Sequence, residues 1–429
     1  MATRLHVFLE RFFVGVLNLK DTGQMQFRYD AAWLIDPNRR PLSLSLPLQA
    51  HAFSAKACRG FFAGLLPEGE LRTLLAQNLG VSANNDVALL DKIGGDCAGA
   101  VSFVPEGQLP AEALPSFRLL DDFALAEILR DRLPLRPLLA GDGPMRLSLA
   151  GAQSKWAVCI ENDAVVMPQG AAMSTHILKP GNPRFENLVF NEAFCMTLAG
   201  KLGLSVAHVQ IQSVQNIPYL LIARYDRKVL PDSPYCQRLH QEDFCQAMGI
   251  PPELKYQKEG GPSLKACFDL VRRYSSVPAQ DLFSLLDTVV FNVLIGNNDA
   301  HGKNFSFLYD GESVFDEALF DPQSFQTKPN LKIVLAPRYD LVSTMVYPHL
   351  SSELAMSIGG EYDAQKIRLS HFEKLADETG LSKKAVRQRV IAFAQQVLDT
   401  MESMTFEYPG VAAIQDFVRH RVGRVLLGG

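Results

Sequence analysis

Cysteine is sparse and scattered in this sequence: seven in 429 residues, at positions 58, 97, 159, 195, 236, 245 and 267, with no C-x-x-C pair among them. An odd, widely spread set excludes a disulfide framework and a zinc knuckle, and predicts reduced structural thiols. An excess of either charge is also missing. The 42 basic and 46 acidic residues leave a formal charge of −4, so the molecule as a whole exerts no pull on polyanions. No stretch approaches the roughly 20 apolar residues of a membrane span, and the first apolar run breaks at Glu10 and Arg11. No membrane association and a cytoplasmic location are therefore expected. No internal repeat, low-complexity segment, G-x-G-x-x-G or Walker A loop is present.

What remains is a chain that is 47% hydrophobic, long enough for two or three domains with substantial cores. Residues 1–110 mix short strand-like runs such as L-H-V-F-L and G-V-L-N-L with an amphipathic helix around Leu71–Leu79, which predicts a small α+β unit. Prolines at 105, 110 and 115 and the run P-L-R-P-L mark residues 111–144 as a linker carrying one helix. Residues 145–240 alternate as strands around one helix, Asn187–Leu202. Residues 241–429 turn helical, through 264–274, 279–294, 371–379 and 382–401.

Chemistry gathers at N-N-D-A-H-G-K-N-F-S, residues 297–306, directly after the apolar run V-V-F-N-V-L-I-G. Asp299 and Asn304 stand as D-x-x-x-x-N, the spacing of a kinase catalytic loop. There a carboxylate accepts the proton of the attacking hydroxyl while a carboxamide oxygen holds magnesium. An Asn-Asp turn closing a buried helix would read the same, so the motif gains meaning from its company. Asp340 ends the strand-like L-A-P-R-Y-D, where a second metal-binding carboxylate falls in chain order. Lys179 ends T-H-I-L-K and Glu192 follows on the next helix, matching a phosphate-binding lysine and its glutamate partner. Upstream, Ala150, Gly151 and Ala152 in R-L-S-L-A-G-A-Q-S-K let backbone N–H groups approach an anion. A-R-Y-D-R, 223–227, takes the place of a hinge strand beside an adenine. Loop, Lys, Glu, D-x-x-x-x-N and Asp thus occur in kinase order.

These stretches resemble the HipA-type serine/threonine kinases, toxin components of bacterial toxin–antitoxin pairs. The resemblance runs through S-L-A-G-A-Q-S-K (148–155), T-H-I-L-K, N-E-A-F-C-M (191–196), R-Y-D-R, Q-E-D-F-C-Q (241–246), K-Y-x-x-x-G-G-P (255–262), I-G-N-N-D-A-H-G-K-N-F-S and Y-D-L. It extends to G-L-L-P-E-G (64–69) and G-G-D-C-A-G-A (94–100) near the N-terminus. It implies an α+β, protein-kinase-like bilobal fold with a β-rich N-lobe, a helical C-lobe and a small added N-terminal α+β subdomain. It also implies ATP- and Mg2+-dependent phosphorylation of a protein serine or threonine. The family's target of this kind is an aminoacyl-tRNA synthetase, notably the glutamyl enzyme, whose modification causes growth arrest and persistence. By the same resemblance Asp299 is the general base, Lys179 the phosphate-neutralising lysine, and Asn304 and Asp340 the metal ligands. Ala150, Gly151, Ala152, Gln153, Ser154 and Lys155 form the phosphate-facing loop. Ala223, Arg224 and Tyr225 form the hinge, and His301, Gly302, Lys303 and Tyr339 complete the nucleotide site.

Ser148 matches the family's autophosphorylated serine. A phosphate there adds about −1.5 to −2 charges beside a loop that must hold a triphosphate, a route to self-inactivation. The implied partner is a HipB-like helix-turn-helix antitoxin, and through it operator DNA. In S-K-K-A-V-R-Q-R-V, Lys383, Lys384 and Arg387 lie opposite the apolar stripe Val386, Val390, Phe393, Val397, a face able to meet phosphates. Ser154 and Ala223 stand where acidic residues are expected, which leaves nucleotide affinity and substrate identity open. Two other readings remain: a small-molecule kinase of the aminoglycoside or choline type, and a non-catalytic corepressor.

Overall fold

The computed structural model describes residues 4–20, 23–108, 115–130, 151, 153–170, 172–229, 236–310 and 331–427. Ser148, Ala150 and Ala152 lie outside them. The N-terminal unit is an antiparallel four-stranded sheet of order β3-β2-β1-β4, with β1 at Arg4–Leu9, β2 at Phe12–Leu19, β3 at Met25–Tyr29 and β4 at Val101–Pro105. Alternation along β1 points Leu5, Val7 and Leu9 into one core. Helices Ala55–Phe62, Gly69–Asn78 and Asp86–Ile93 contribute Phe61, Phe62, Leu75 and Leu90 to that core.

A six-stranded antiparallel sheet forms the next lobe, in the order β5-β7-β6-β8-β10-β9. Its strands are β5 Ser116–Leu119, β6 Trp156–Glu161, β7 Ala164–Gln169, β8 His176–Pro180, β9 Val209–Val214 and β10 Ile217–Ala223. Within the stretch expected as a linker, β5 is the sheet's edge strand. Helix Asp122–Arg130 buries Leu125, Ala126 and Leu129 in a core shared with Trp156, Leu178 and Leu221. Pro115 directly precedes that edge strand.

Helix Leu188–Lys201 links this sheet to the helical lobe. It is apolar nearly all round, with Val189, Phe194, Cys195 and Leu198 buried, because sheet and helices cover opposite sides of it. Helix Pro278–Ile295 is the centre of the helical lobe: Pro278 sits in its first turn, and Leu285, Leu286, Phe291, Leu294 and Ile295 are fully buried. By length and composition it could cross a membrane, the one described helix of which that holds, yet 72% of its apolar window is buried inside the protein. Truncating Phe291 to alanine there would cost about 3–5 kcal/mol. Helices Leu264–Tyr274, Lys383–Ser403 and Val411–Leu427 pack against it, and Leu369–Thr379 packs on the first two of these. Helices Val411–Leu427, Ala55–Phe62 and Asp86–Ile93 carry no separate sign in the sequence. On Lys383–Ser403 the stripe Val386, Val390, Phe393, Val397 faces the core. Outside, Lys383 meets Asp377 at 2.8 Å and Arg387 meets Glu373 at 2.6 Å.

Candidate active site

The Pro278–Ile295 helix ends at Gly296, whose φ of +73° is a left-handed cap. An added Cβ there would lie 2.5 Å from the Phe417 ring, so glycine is required both for the turn and for space. The chain that emerges is pinned at once. Asn297 donates its backbone N–H to Asn292 O at 2.8 Å, Asn298 N–H goes to Thr344 Oγ1 at 2.9 Å, and Ala355 N–H to Asn298 O at 2.8 Å. A core helix thus delivers the polar loop 299–304 to a fixed place, at the edge of a cleft of about 780 Å³ between the lobes.

Four of the expected residues meet in that cleft through one continuous chain of contacts. Lys179 Nζ, from the end of β8, lies 2.7 Å from Glu192 Oε1 on helix Leu188–Lys201 and 2.7 Å from Asp340 Oδ1. Asn304 Nδ2 donates to Asp340 Oδ2 at 3.1 Å. Asp340 has a φ of +59°, an uncommon conformation for a non-glycine residue and one that clusters at functional positions. Burial opposes charge on both sides of this group, but the carboxylates win at Lys179, whose ammonium is held well above its ordinary range. At Asp340 burial pushes the carboxyl up, and the Lys179 and Lys155 ammoniums outweigh it and hold it well below. The Asp340 side chain stays 40% exposed toward the cleft.

Asp299 faces the open cleft. Its Oδ1 accepts a 2.7 Å hydrogen bond from the Tyr256 hydroxyl. Protein on its other sides pushes its carboxyl upward, with Tyr256 and Lys255 opposing. The cleft wall also includes Gly151, Gln153 and Lys155. Gly151 has a φ of +107°, and an added Cβ would meet Lys155 Nζ at 2.8 Å. Burial and the Lys179 charge lower Lys155 to about 8. Ser154 between them is half-buried. The His301 imidazole is driven to about 3, first by burial and then by Lys255, so it is neutral, and its Nδ1 has no hydrogen-bond partner among the described residues.

Ala223, Arg224 and Lys303 also line the cleft, with polar groups that the protein itself occupies. The Arg224 guanidinium is sealed beneath the hinge, 2.9 Å from both oxygens of Asp226. The Ala223 and Arg224 backbone N–H groups already bond His208 O and Thr175 O. Gly302 is tucked under Pro262 and Cys245, 2.4 and 2.8 Å from where its Cβ would be. The Lys303 ammonium turns to Asp243 at 2.8 Å, Gly64 O at 3.1 Å and Glu68 at 3.6 Å. The hinge side of the cleft carries the expected Tyr225 and Tyr339, stacked at 6.0 Å, with Ile177, Ala207 and Ile222 beside them. The Tyr339 hydroxyl reaches Lys303 O at 2.6 Å.

Tyr256, Asp243 and Glu68 were not legible as site residues. Tyr256 and Glu68 lie in K-Y-x-x-x-G-G-P and G-L-L-P-E-G, so the motifs pointed to the segments without disclosing what the side chains do. Glu68 also brings the N-terminal unit into the site: Pro67 and Gly151 form a parallel bridge, and Glu68 N–H donates to Gly151 O at 3.1 Å.

The donor set suits magnesium, which prefers oxygen and takes one or two carboxylates with phosphate and water. Asp340 Oδ2 is bonded by Asn304 alone among the described residues, and Asn304 Oδ1, which accepts His301 N–H at 3.2 Å, keeps a second lone pair. No group of three His, Cys, Asp or Glu side chains that could hold a metal occurs among the described residues, so a site of this kind would depend on the nucleotide's own oxygens.

Comparison with known proteins identifies the family and the fold. The family model of the HipA-like C-terminal domain matches residues 147–401, and that of the HipA N-terminal domain matches residues 5–104. The chain is 44% identical to Y4mE of Sinorhizobium fredii (strain NGR234), named as a candidate kinase, over 99% of this chain and 98% of that one. It is 32% identical to the serine/threonine-protein kinase toxin HipA of Shewanella oneidensis, over 94% of this chain and 90% of the relative. A solved complex of Shewanella oneidensis HipA with HipB and its operator DNA superposes with a TM-score of 0.83 at 28% identity, covering 98% of this chain and 97% of the other. The bilobal kinase-like fold with its added N-terminal unit is therefore shared along nearly the whole length, and this chain belongs to the HipA family of serine/threonine-protein kinases.

Proposed function

We propose that this kinase uses ATP and Mg2+ to phosphorylate a serine or threonine of a translation protein, an aminoacyl-tRNA synthetase of the glutamyl type by family analogy, and so arrests growth. The observation that carries this reading is the chain Glu192–Lys179–Asp340–Asn304 on one wall of the cleft with Asp299 at its edge. Tyr225, Tyr339 and the aliphatic wall form a slot suited to the flat face of an adenine. Lys179, fixed between two carboxylates, presents a charge to phosphate oxygens. Asp299 accepts the proton of the attacking hydroxyl. Asn304 and Asp340 would hold magnesium, which when bound supplies charge neutralisation on the phosphates. Positioning and electrostatics account for most of the catalysis in such a site.

Regulation follows the same family reading. Phosphorylation of Ser148 would set like charge against the triphosphate and expel the loop that carries Gly151. The HipB-containing complex of the Shewanella relative supports a helix-turn-helix antitoxin partner that brings the kinase to operator DNA. Labelled ATP with a bacterial lysate tests the activity: label enters protein bands with the wild type and not with Asp299→Asn. Label confined to small metabolites would overturn it in favour of a small-molecule kinase. Comparing phosphoproteomes of cells expressing the two forms identifies the substrate.

A further inference from the structure

The Lys255–Pro262 segment is clamped against the catalytic loop more firmly than a surface turn requires. The Tyr256 hydroxyl donates to Asp299 Oδ1 at 2.7 Å. Its ring stands edge-on to the His301 imidazole, centroids 5.4 Å apart at 80°. The Lys255 ammonium lies 5.5 Å above the same ring and 3.0 Å from Glu68. The segment is folded back on itself, with Gly261 N–H bonding Tyr256 O at 2.9 Å, and a Cβ on Gly261 would sit 2.4 Å from Leu254 O and 2.7 Å from Tyr256 O. Next to it, Gln257 Oε1 accepts Ser357 N–H at 2.9 Å. A half-buried tyrosine is thus held from several sides with its hydroxyl on the proposed base.

We propose that Tyr256 is a positioning residue for phosphoryl transfer: by occupying Oδ1 of Asp299 it fixes the carboxylate plane and leaves Oδ2 as the oxygen that meets the acceptor hydroxyl. No described residue donates a hydrogen bond to Oδ2. The tyrosine keeps its proton and donates it to the Asp299 carboxylate, because burial and the neighbouring Asp299 charge hold its phenol far above ordinary range. The proton of the acceptor therefore passes to Asp299, and the phenol keeps its own. The inference rests on Asp299 being the base.

The groups facing Asp299 are Tyr256 and Lys255 from this segment, Glu68 from the N-terminal unit and Asp340 across the cleft. The first two favour the carboxylate and the other two disfavour it. Removing the phenol donor raises the pH at which the base loses its proton. The test is Tyr256→Phe in the full chain, measuring initial transfer of labelled phosphate from ATP into lysate protein across pH. The maximal rate falls roughly ten- to a hundredfold, since a hydrogen bond to a charged group is lost. The apparent KM for ATP stays unchanged, which also certifies the fold, and the acid limb of the profile moves to higher pH. An unshifted acid limb, or a loss carried wholly by the KM for ATP, would overturn the inference while leaving the kinase reading intact. Full activity in Asp299→Asn would instead overturn the base assignment beneath it.

Discussion

Two clusters of charge lie around the hinge and the cleft, and they are built in opposite ways. Beneath the hinge, Asp96 accepts from Ser174 N–H at 3.0 Å and Arg227 Nη2 at 2.6 Å, Asp226 holds Arg224, and Arg238 reaches Gly99 O at 3.2 Å. Every carboxylate and guanidinium here is nearly fully buried. Burial alone would push Asp96 and Asp226 up, but the arginines outweigh it and hold both well below the carboxylate range. In the cleft, Lys179 and Glu192 are equally buried, yet Asp340 and Asp299 open to solvent. A cluster that closes on itself staples two units of the fold together. One that leaves acceptors facing a cavity has room for a ligand.

The sharpest way to break this comparison is Asp299→Asn. Phosphate transfer falls by about 10²–10⁴-fold, the usual contribution of a general base, while the denaturation midpoint stays within the range of an ordinary surface change. Next comes Asp96→Ala on the sealed side. It strands Arg224 and Arg227 without their shared carboxylate and costs about 3–5 kcal/mol in chemical denaturation, with activity lost only as folded protein is lost.

A third test uses pH. Glu242 is buried between the N-terminal unit and the helical lobe and accepts from Ser43, Tyr309 and Leu44 N–H, and burial nevertheless lifts it from its ordinary 4.5 to about 7. A carboxyl raised on folding stabilises fully below its unfolded value, and that contribution is lost as pH rises through the folded one. Stability should thus decline by roughly 2–3 kcal/mol between about pH 4.5 and 7. Glu242→Gln flattens that slope in denaturant titrations at several pH values. The smallest effect belongs to Lys265→Ala, whose exposed ion pair with Asp269 should change stability by less than about 0.5 kcal/mol.

Chain order disclosed most of the proposed catalytic arrangement, because a kinase cleft draws its parts from successive elements and D-x-x-x-x-N is short enough to read directly. Side-chain direction was less legible. Lys303 sits inside that motif, but its carbonyl partner Gly64 is 239 residues away, and no local pattern encodes such a pairing. Arg224 looked like a hinge residue by position, and only the burial of Asp96 and Asp226 beside it turns its guanidinium inward. Tyr256 was hidden for a related reason: a tyrosine in a turn carries no mark of the carboxylate it will meet 43 positions later. The apolar periods of Leu264–Tyr274 and Lys383–Ser403 were plain because each helix buries one coherent face.

The backbone bridge between Pro67 and Gly151 anchors that stretch of the cleft wall outside its own lobe. The position of Gly151 is a property of two pieces of protein at once. Mechanical disturbance of the first hundred residues would reach the cleft without any change in the lobes that enclose it.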